Sequence, residues 1–169
     1  MDFTQWLTEN PAGELFYTFL IAMLPVVELR GAIPVGVGML GRSALPSVYL
    51  AAVLGNMLPV PFIIVYIRRI FQWLRRRSRR LDGLVTRLET KAHLKGRMVT
   101  RYKYLGLCIL VAIPLPGTGA WTGALVAAFL DMRLRSAVPA IFLGVVIAGI
   151  LVSLVTGGVI AAFFCGVAA

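Results

Sequence analysis

The stretch Pro25-Val26-Val27-Glu28-Leu29-Arg30-Gly31-Ala32-Ile33-Pro34 follows directly on ten uncharged residues, 15–24. A helix that crosses a bilayer without interruption needs about 20 apolar residues, so 15–24 is too short to cross alone. Further on, Pro114-Leu115-Pro116-Gly117-Thr118-Gly119 breaks a second uncharged stretch, 105–130, at its middle. A proline or glycine break leaves backbone N–H and C=O groups without helical partners. Hydrocarbon cannot satisfy them, so the broken segment must be buried in protein or line a wet cavity. The two breaks therefore mark a cavity.

Composition agrees with a membrane setting. Of 169 residues, 59% are hydrophobic and 14% charged, against about 25% charged in an ordinary soluble domain. Each short broken segment leads into a longer one. Residues 44–67 carry no formal charge, with Pro46 at the start and Pro59 and Pro61 expected to kink the span. Residues 136–169 form the second full-span candidate. Shifting the chain by 89 positions lays Pro25 on Pro114, Ser47 on Ser136 and Leu54-Gly55 on Leu143-Gly144, and the order of elements repeats with it. A re-entrant hairpin enters and leaves by one face, so a single span after the first hairpin sets the second on the opposite face. The expected fold is an all-α integral membrane protein of two inverted repeats, each a re-entrant helical hairpin plus a transmembrane helix, the layout of secondary transporters. The alternative is four kinked crossings with no special site. The single membrane domain, 1–169, divides into a first repeat at 14–67, a basic loop at 68–103 and a second repeat at 104–165.

The charge is concentrated in that loop. It holds ten Arg and three Lys against Asp82 and Glu89, a net +11, which leaves −1 for the rest of the chain. A loop this short between apolar blocks follows the positive-inside rule and belongs in the cytoplasm. Its cations suit anionic lipid headgroups. The aromatic interleaving and recognition modules of nucleic-acid binding are missing, so no nucleic-acid partner is expected. Cys108 and Cys165 lie in apolar stretches without metal or redox spacing and read as packing residues.

Glu28 and Arg30 are the charges of the first 41 residues that belong to the broken segment. A charge at mid-membrane costs at least about 2.5 to 3.5 kcal/mol, so the pair is either functional or interfacial, capping a short helix. Arg30 offers a planar fork of donors for phosphate or carboxylate. Burial favours the neutral carboxyl of Glu28 and the neighbouring Arg30 the ionised one, which suits Glu28 to taking up and releasing a proton. Gly31 and Pro34 belong to the same break. In the second break Pro114, Gly117, Thr118, Gly119, Trp121 and Thr122 offer close backbone approach and N–H groups that attract anions, or else tight helix packing. Arg42 at one junction, and Asp131, Arg133 and Arg135 at the other, read as surface anchors or as a gate that touches headgroups. Asn56, the strongly polar group inside the first span, reads as an interhelical hydrogen-bond donor. No catalytic set, metal spacing, Walker loop or GxGxxG is present, so neither an enzyme, a metal nor a cofactor is expected.

The segments Pro25-Val-Val-Glu-Leu-Arg-Gly-Ala-Ile-Pro-Val-Gly36 and Pro114-Leu-Pro-Gly-Thr-Gly-Ala-Trp-Thr-Gly123 resemble the small multidrug export protein family of bacterial and archaeal membranes. The resemblance covers residues 10–165 and implies a multi-pass protein of the prokaryotic cytoplasmic (inner) membrane. The broken-hairpin pattern is also similar, more distantly, to the DedA superfamily, whose members are implicated in moving polyprenyl-phosphate lipids. By that resemblance Glu28 and Arg30 match the membrane-embedded acidic and Arg residues of the first hairpin. The Arg of the second hairpin has no counterpart within 105–130; Arg133 and Arg135 lie just beyond. Together these imply a homodimeric transporter among membrane lipids, moving an anionic amphiphile such as an undecaprenyl-phosphate-like lipid, with Arg30 on the headgroup and Glu28 coupling to protons. The alternative is a proton-coupled small multidrug exporter in which Glu28 binds lipophilic cation and proton in turn. A third reading is a scaffold whose basic loop recruits partners.

Overall fold

The computed structural model describes residues 10–77, 104–113, 117–130 and 132–167. Every regular element in them is helical: α1 (Pro11–Met23), α2 (Glu28–Leu40), a 3-10 turn (Arg42–Ala44), α3 (Leu45–Met57), α4 (Pro59–Arg77), α5 (Tyr104–Ala112), α6 (Ala120–Phe129) and α7 (Leu134–Val167). Residues 78–103 of the basic loop, Pro114 and Asp131 lie outside the described residues.

Local chemistry sets several boundaries. Asn10 caps α1, its side chain accepting from the Ala12 N–H at 3.1 Å, and Pro11 takes the first helical position, where no amide is needed. The chain turns at Leu58, and Pro59 and Pro61 fall in the first turn of α4, where a missing N–H is tolerated. Two stretches are long and apolar enough to cross a membrane, Arg42–Ile67 and Leu134–Gly158; Pro11–Met23 and Ala120–Phe129 are apolar but shorter. Along the long stretches Leu54, Phe62, Leu143 and Leu154 are each more than half exposed. Such residues suit hydrocarbon and would be a liability in water.

The helices form two compact units, Met1–Asn56 with Val146–Ala169, and Met57–Val145. In the first, α1 packs on α2. Small residues let the backbones close up, as membrane helices require when no hydrophobic force drives them together. A Cβ on Gly36 would stand 2.6 Å from the Thr18 hydroxyl and 2.7 Å from Val48 Cγ1, while one on Gly55 would overlap the Phe19 carbonyl and crowd Ala22. Thr18 is fully buried and its hydroxyl donates to the Glu14 carbonyl at 2.9 Å. The Tyr49 hydroxyl donates to the Val146 carbonyl at 3.0 Å, and its ring fills the space above Gly149.

In the second unit α6 packs on α4 and α5. Leu107, Val111, Val126, Ile141 and Val145 are its fully buried large residues together with Val60. A Cβ on Gly144 would lie 2.7 Å from the Cys108 carbonyl and 2.7 Å from Val111 Cβ. Gly144, Cys108 and Val111 stand 89 positions after Gly55, Phe19 and Ala22, so one close approach is built twice. The starts of α3 at Leu45 and α7 at Leu134 keep the same spacing.

The first break is shorter than its sequence pattern implies. It occupies residues 24–27 only, and Gly31 and Pro34 lie inside α2.

Candidate functional site

The α1–α2 corner rests on one unusual backbone. Val27, which precedes α2, is right-handed and offers no side-chain cap, and Glu28 then takes φ 49°. Among the described residues Glu28 is the non-glycine residue with positive φ. That conformation costs an L-residue about 1 to 2 kcal/mol. The corner is held by its own amides: the Glu28 N–H donates to the Leu24 carbonyl at 3.0 Å and the Gly31 N–H to the Val27 carbonyl at 3.2 Å. Glu28 is only 5% exposed. A carboxyl is thus buried at a break, on a backbone that glycine would hold more easily.

Arg30 and Gly31 are half-buried in the first turn of the same helix, and Pro34 is exposed on it. A side chain at Gly31 would run into Val27, so the glycine keeps the turn tight. Arg42 is exposed beyond the far end of α2, about 20 Å along the axis from Glu28 at 1.5 Å per residue. The structure therefore groups Glu28, Arg30 and Gly31 and sets Arg42 apart from them.

The second break is built from hydroxyls and glycines. Gly117 and Gly119 have φ 79° and 136°. The Thr118 hydroxyl donates to the Ile113 carbonyl at 2.7 Å, and the Thr122 hydroxyl to the Gly117 carbonyl at 3.1 Å. A hydroxyl has one hydrogen to give, so both threonines present lone pairs, not donors, to anything else. Gly119 is buried, Thr118, Trp121 and Thr122 are half-buried, and Gly117 is exposed. Arg133 and Arg135 are exposed beside the start of α7, at the opposite end of α6 from Gly117.

Asn56 departs from its sequence reading. It is fully buried near the end of α3, and neither its amide nitrogen nor its amide oxygen has a hydrogen-bond partner. An interhelical bond was the expectation. Its position as a lone amide in an uncharged span was legible; its missing partner was not.

Long apolar helices and exposed large hydrophobics define a helical membrane protein. The chain belongs to the family described as "Putative small multi-drug export protein", whose model matches residues 28–151. No curated protein and no solved structure matches it.

Proposed function

We propose that this protein exports lipophilic cations across the prokaryotic cytoplasmic membrane, with Glu28 as the group that binds cation and proton in turn. The observation that carries this reading is the burial of the Glu28 carboxyl in left-handed backbone. A costly charge on a costly conformation is retained where a simpler residue would fold better. The family's description, which names multi-drug export, points the same way.

In this reading each half, 14–67 and 104–165, is a re-entrant hairpin with a spanning helix. The halves are inverted, the loop 68–103 faces the cytoplasm, and two copies pair in the lipid. The spacing of 89 that relates helix starts and glycine contacts supports a repeat. Sequence alone puts a polyprenyl-phosphate lipid first. The hydroxyl hydrogens of Thr118 and Thr122 already go to backbone carbonyls, which leaves a phosphate in the second break to backbone amides and favours the cation instead. Half-buried Arg30 is what favours the phosphate lipid as a second reading.

The test is transport by the purified chain in liposomes under an imposed pH gradient, read with a fluorescent lipophilic cation. Wild type accumulates the cation and Glu28→Gln does not. Equal accumulation by both would remove the reading.

A further inference from the structure

Within the first unit, α3 and α7 meet where the Tyr49 hydroxyl donates to the Val146 carbonyl at 3.0 Å and the Tyr49 ring covers Gly149. Toward the start of α3 they part and leave an apolar groove of about 320 Å³, lined by Leu45, Pro46, Tyr49, Ile150, Ser153 and Leu154. As α3 runs back from Tyr49 to Leu45, α7 runs on from Gly149 to Leu154, so the two helices are antiparallel here. Ser153 is half-buried, and its hydroxyl oxygen is turned inward without a hydrogen-bond partner. An unmatched hydroxyl in an apolar surround is costly. The Tyr49 hydroxyl has already given its hydrogen, and one rotation about the Ser153 Cα–Cβ bond would turn the other hydroxyl toward an acceptor in the groove.

Arg42 stands over the mouth. The turn Arg42–Ala44 runs straight into α3, because the Leu45 amide donates to the Arg42 carbonyl and Leu45 is itself right-handed, at φ −49° and ψ −42°. Residues i and i+3 of a 3-10 turn eclipse, which puts Arg42 in line with Leu45 on the groove face, about 6 Å further out at 2.0 Å per residue. Arg42 is exposed and opens the first membrane-capable stretch, so the mouth lies where hydrocarbon gives way to headgroups. Gly157, one turn beyond Ser153, carries no side chain to close it. Glu14, one turn before Thr18 on α1, belongs to the Val48 side of α3, whereas the groove opens on the Tyr49 side. Among the described residues that line or adjoin the groove, Arg42 is therefore the charged one.

From the mouth inward the groove offers a guanidinium, then a hydroxyl, then hydrocarbon walls. A glycerophospholipid presents its groups in the same order: phosphate outermost, ester carbonyls a few ångströms deeper, acyl chains below. We propose that this groove holds one anionic phospholipid of the bilayer, with its phosphate on Arg42, an ester carbonyl accepting from the Ser153 hydroxyl, and an acyl chain along Tyr49, Ile150 and Leu154. The lipid fills the gap between the first span and α7, whichever substrate Glu28 handles.

The test uses the full chain, purified and stripped of lipid in detergent, then mixed with equal amounts of phosphatidylglycerol and phosphatidylcholine; bound lipid is counted by native mass spectrometry. Wild type is expected to keep one phosphatidylglycerol in preference to phosphatidylcholine. In Arg42→Gln that preference is expected to fall about tenfold, the scale of a lost hydrogen bond to a charged group, although the basic loop 68–103 keeps its charge. Arg42→Lys is expected to keep most of it. Ser153→Leu, which fills the groove and removes the hydroxyl, is expected to lower retention of both lipids. No preference in wild type, or an unchanged preference in Arg42→Gln, would overturn the proposal. A Ser153→Leu variant that passes from dimer to monomer with lipid retention unaltered would overturn it too, since the groove would then seat a second copy.

Discussion

Glu28 and Gly117 stand 89 residues apart and both hold left-handed backbone, at φ 49° and 79°. In the second half the conformation sits on the residue that adopts it at least cost; in the first it sits on a buried carboxyl. Glu28→Gly is expected to relieve that strain and to remove a buried ionisable group, raising stability by about 1 kcal/mol and abolishing export. Glu28→Gln keeps the backbone strain and gains less. Melting temperatures of the two variants in one detergent, set beside their fluxes, check the order. A Glu28→Gly variant less stable than wild type would mean the carboxyl anchors the corner.

Much of this was readable beforehand, and the reasons differ by residue. Asn10-Pro11 and Pro59 place helix starts because capping and the missing proline N–H are local chemistry. The spacing of 89 was visible in a few identities and in the order of elements, and the paired contacts of Gly55 and Gly144 give it a physical content that identity could not. Pro34 and Gly31 misled, since both signal a break and both lie within α2. The φ of Glu28 and the unpartnered Asn56 were illegible because each depends on how α1, α2 and α3 pack, and no residue type records that.

Two glycines separate packing from mere flexibility. A Cβ at Gly55 meets the Phe19 carbonyl, whereas among the described residues nothing outside its own turn of helix lies within 4 Å of the corresponding point at Gly157. Gly55→Ala is expected to lower stability by about 1 to 3 kcal/mol through overpacking. Gly157→Ala is expected to raise it by about 0.5 to 1 kcal/mol by removing unfolded-state freedom from a helix. One substitution thus gives opposite signs at two sites, read by thermal or denaturant unfolding in detergent. Equal effects at both would mean that α1 and α3 do not approach as closely as drawn.

The threonines of the second break hold it closed through backbone carbonyls. Thr118→Val keeps the side-chain shape and deletes the bond to the Ile113 carbonyl, a loss of about 1 kcal/mol. Amide hydrogen exchange across residues 117–121 is expected to quicken about fivefold, with exchange in α1 and α2 unchanged. No change in residues 117–121 would show that the glycines alone define the break.

Arg30 discriminates between the two substrate charges. It is half-buried in the first turn of α2, two residues from Glu28. If the substrate is a cation, Arg30 repels it, and Arg30→Ala is expected to keep or raise cation flux. If the substrate is a phosphate lipid, Arg30 supplies the bidentate fork that holds the headgroup, and the same change removes a charge-assisted contact of about 1.5 to 3 kcal/mol, a loss of ten- to a hundredfold. Liposome assays with a lipophilic cation and with a fluorescent polyprenyl phosphate, run on the same Arg30→Ala preparation, separate the two. Loss of phosphate-lipid flux with cation flux absent in wild type would reverse the proposed order of the two readings. Cation flux that survives Arg30→Ala and vanishes in Glu28→Gln would assign the site to the carboxylate, because only a positively charged substrate gains from losing the guanidinium and needs the acid beside it.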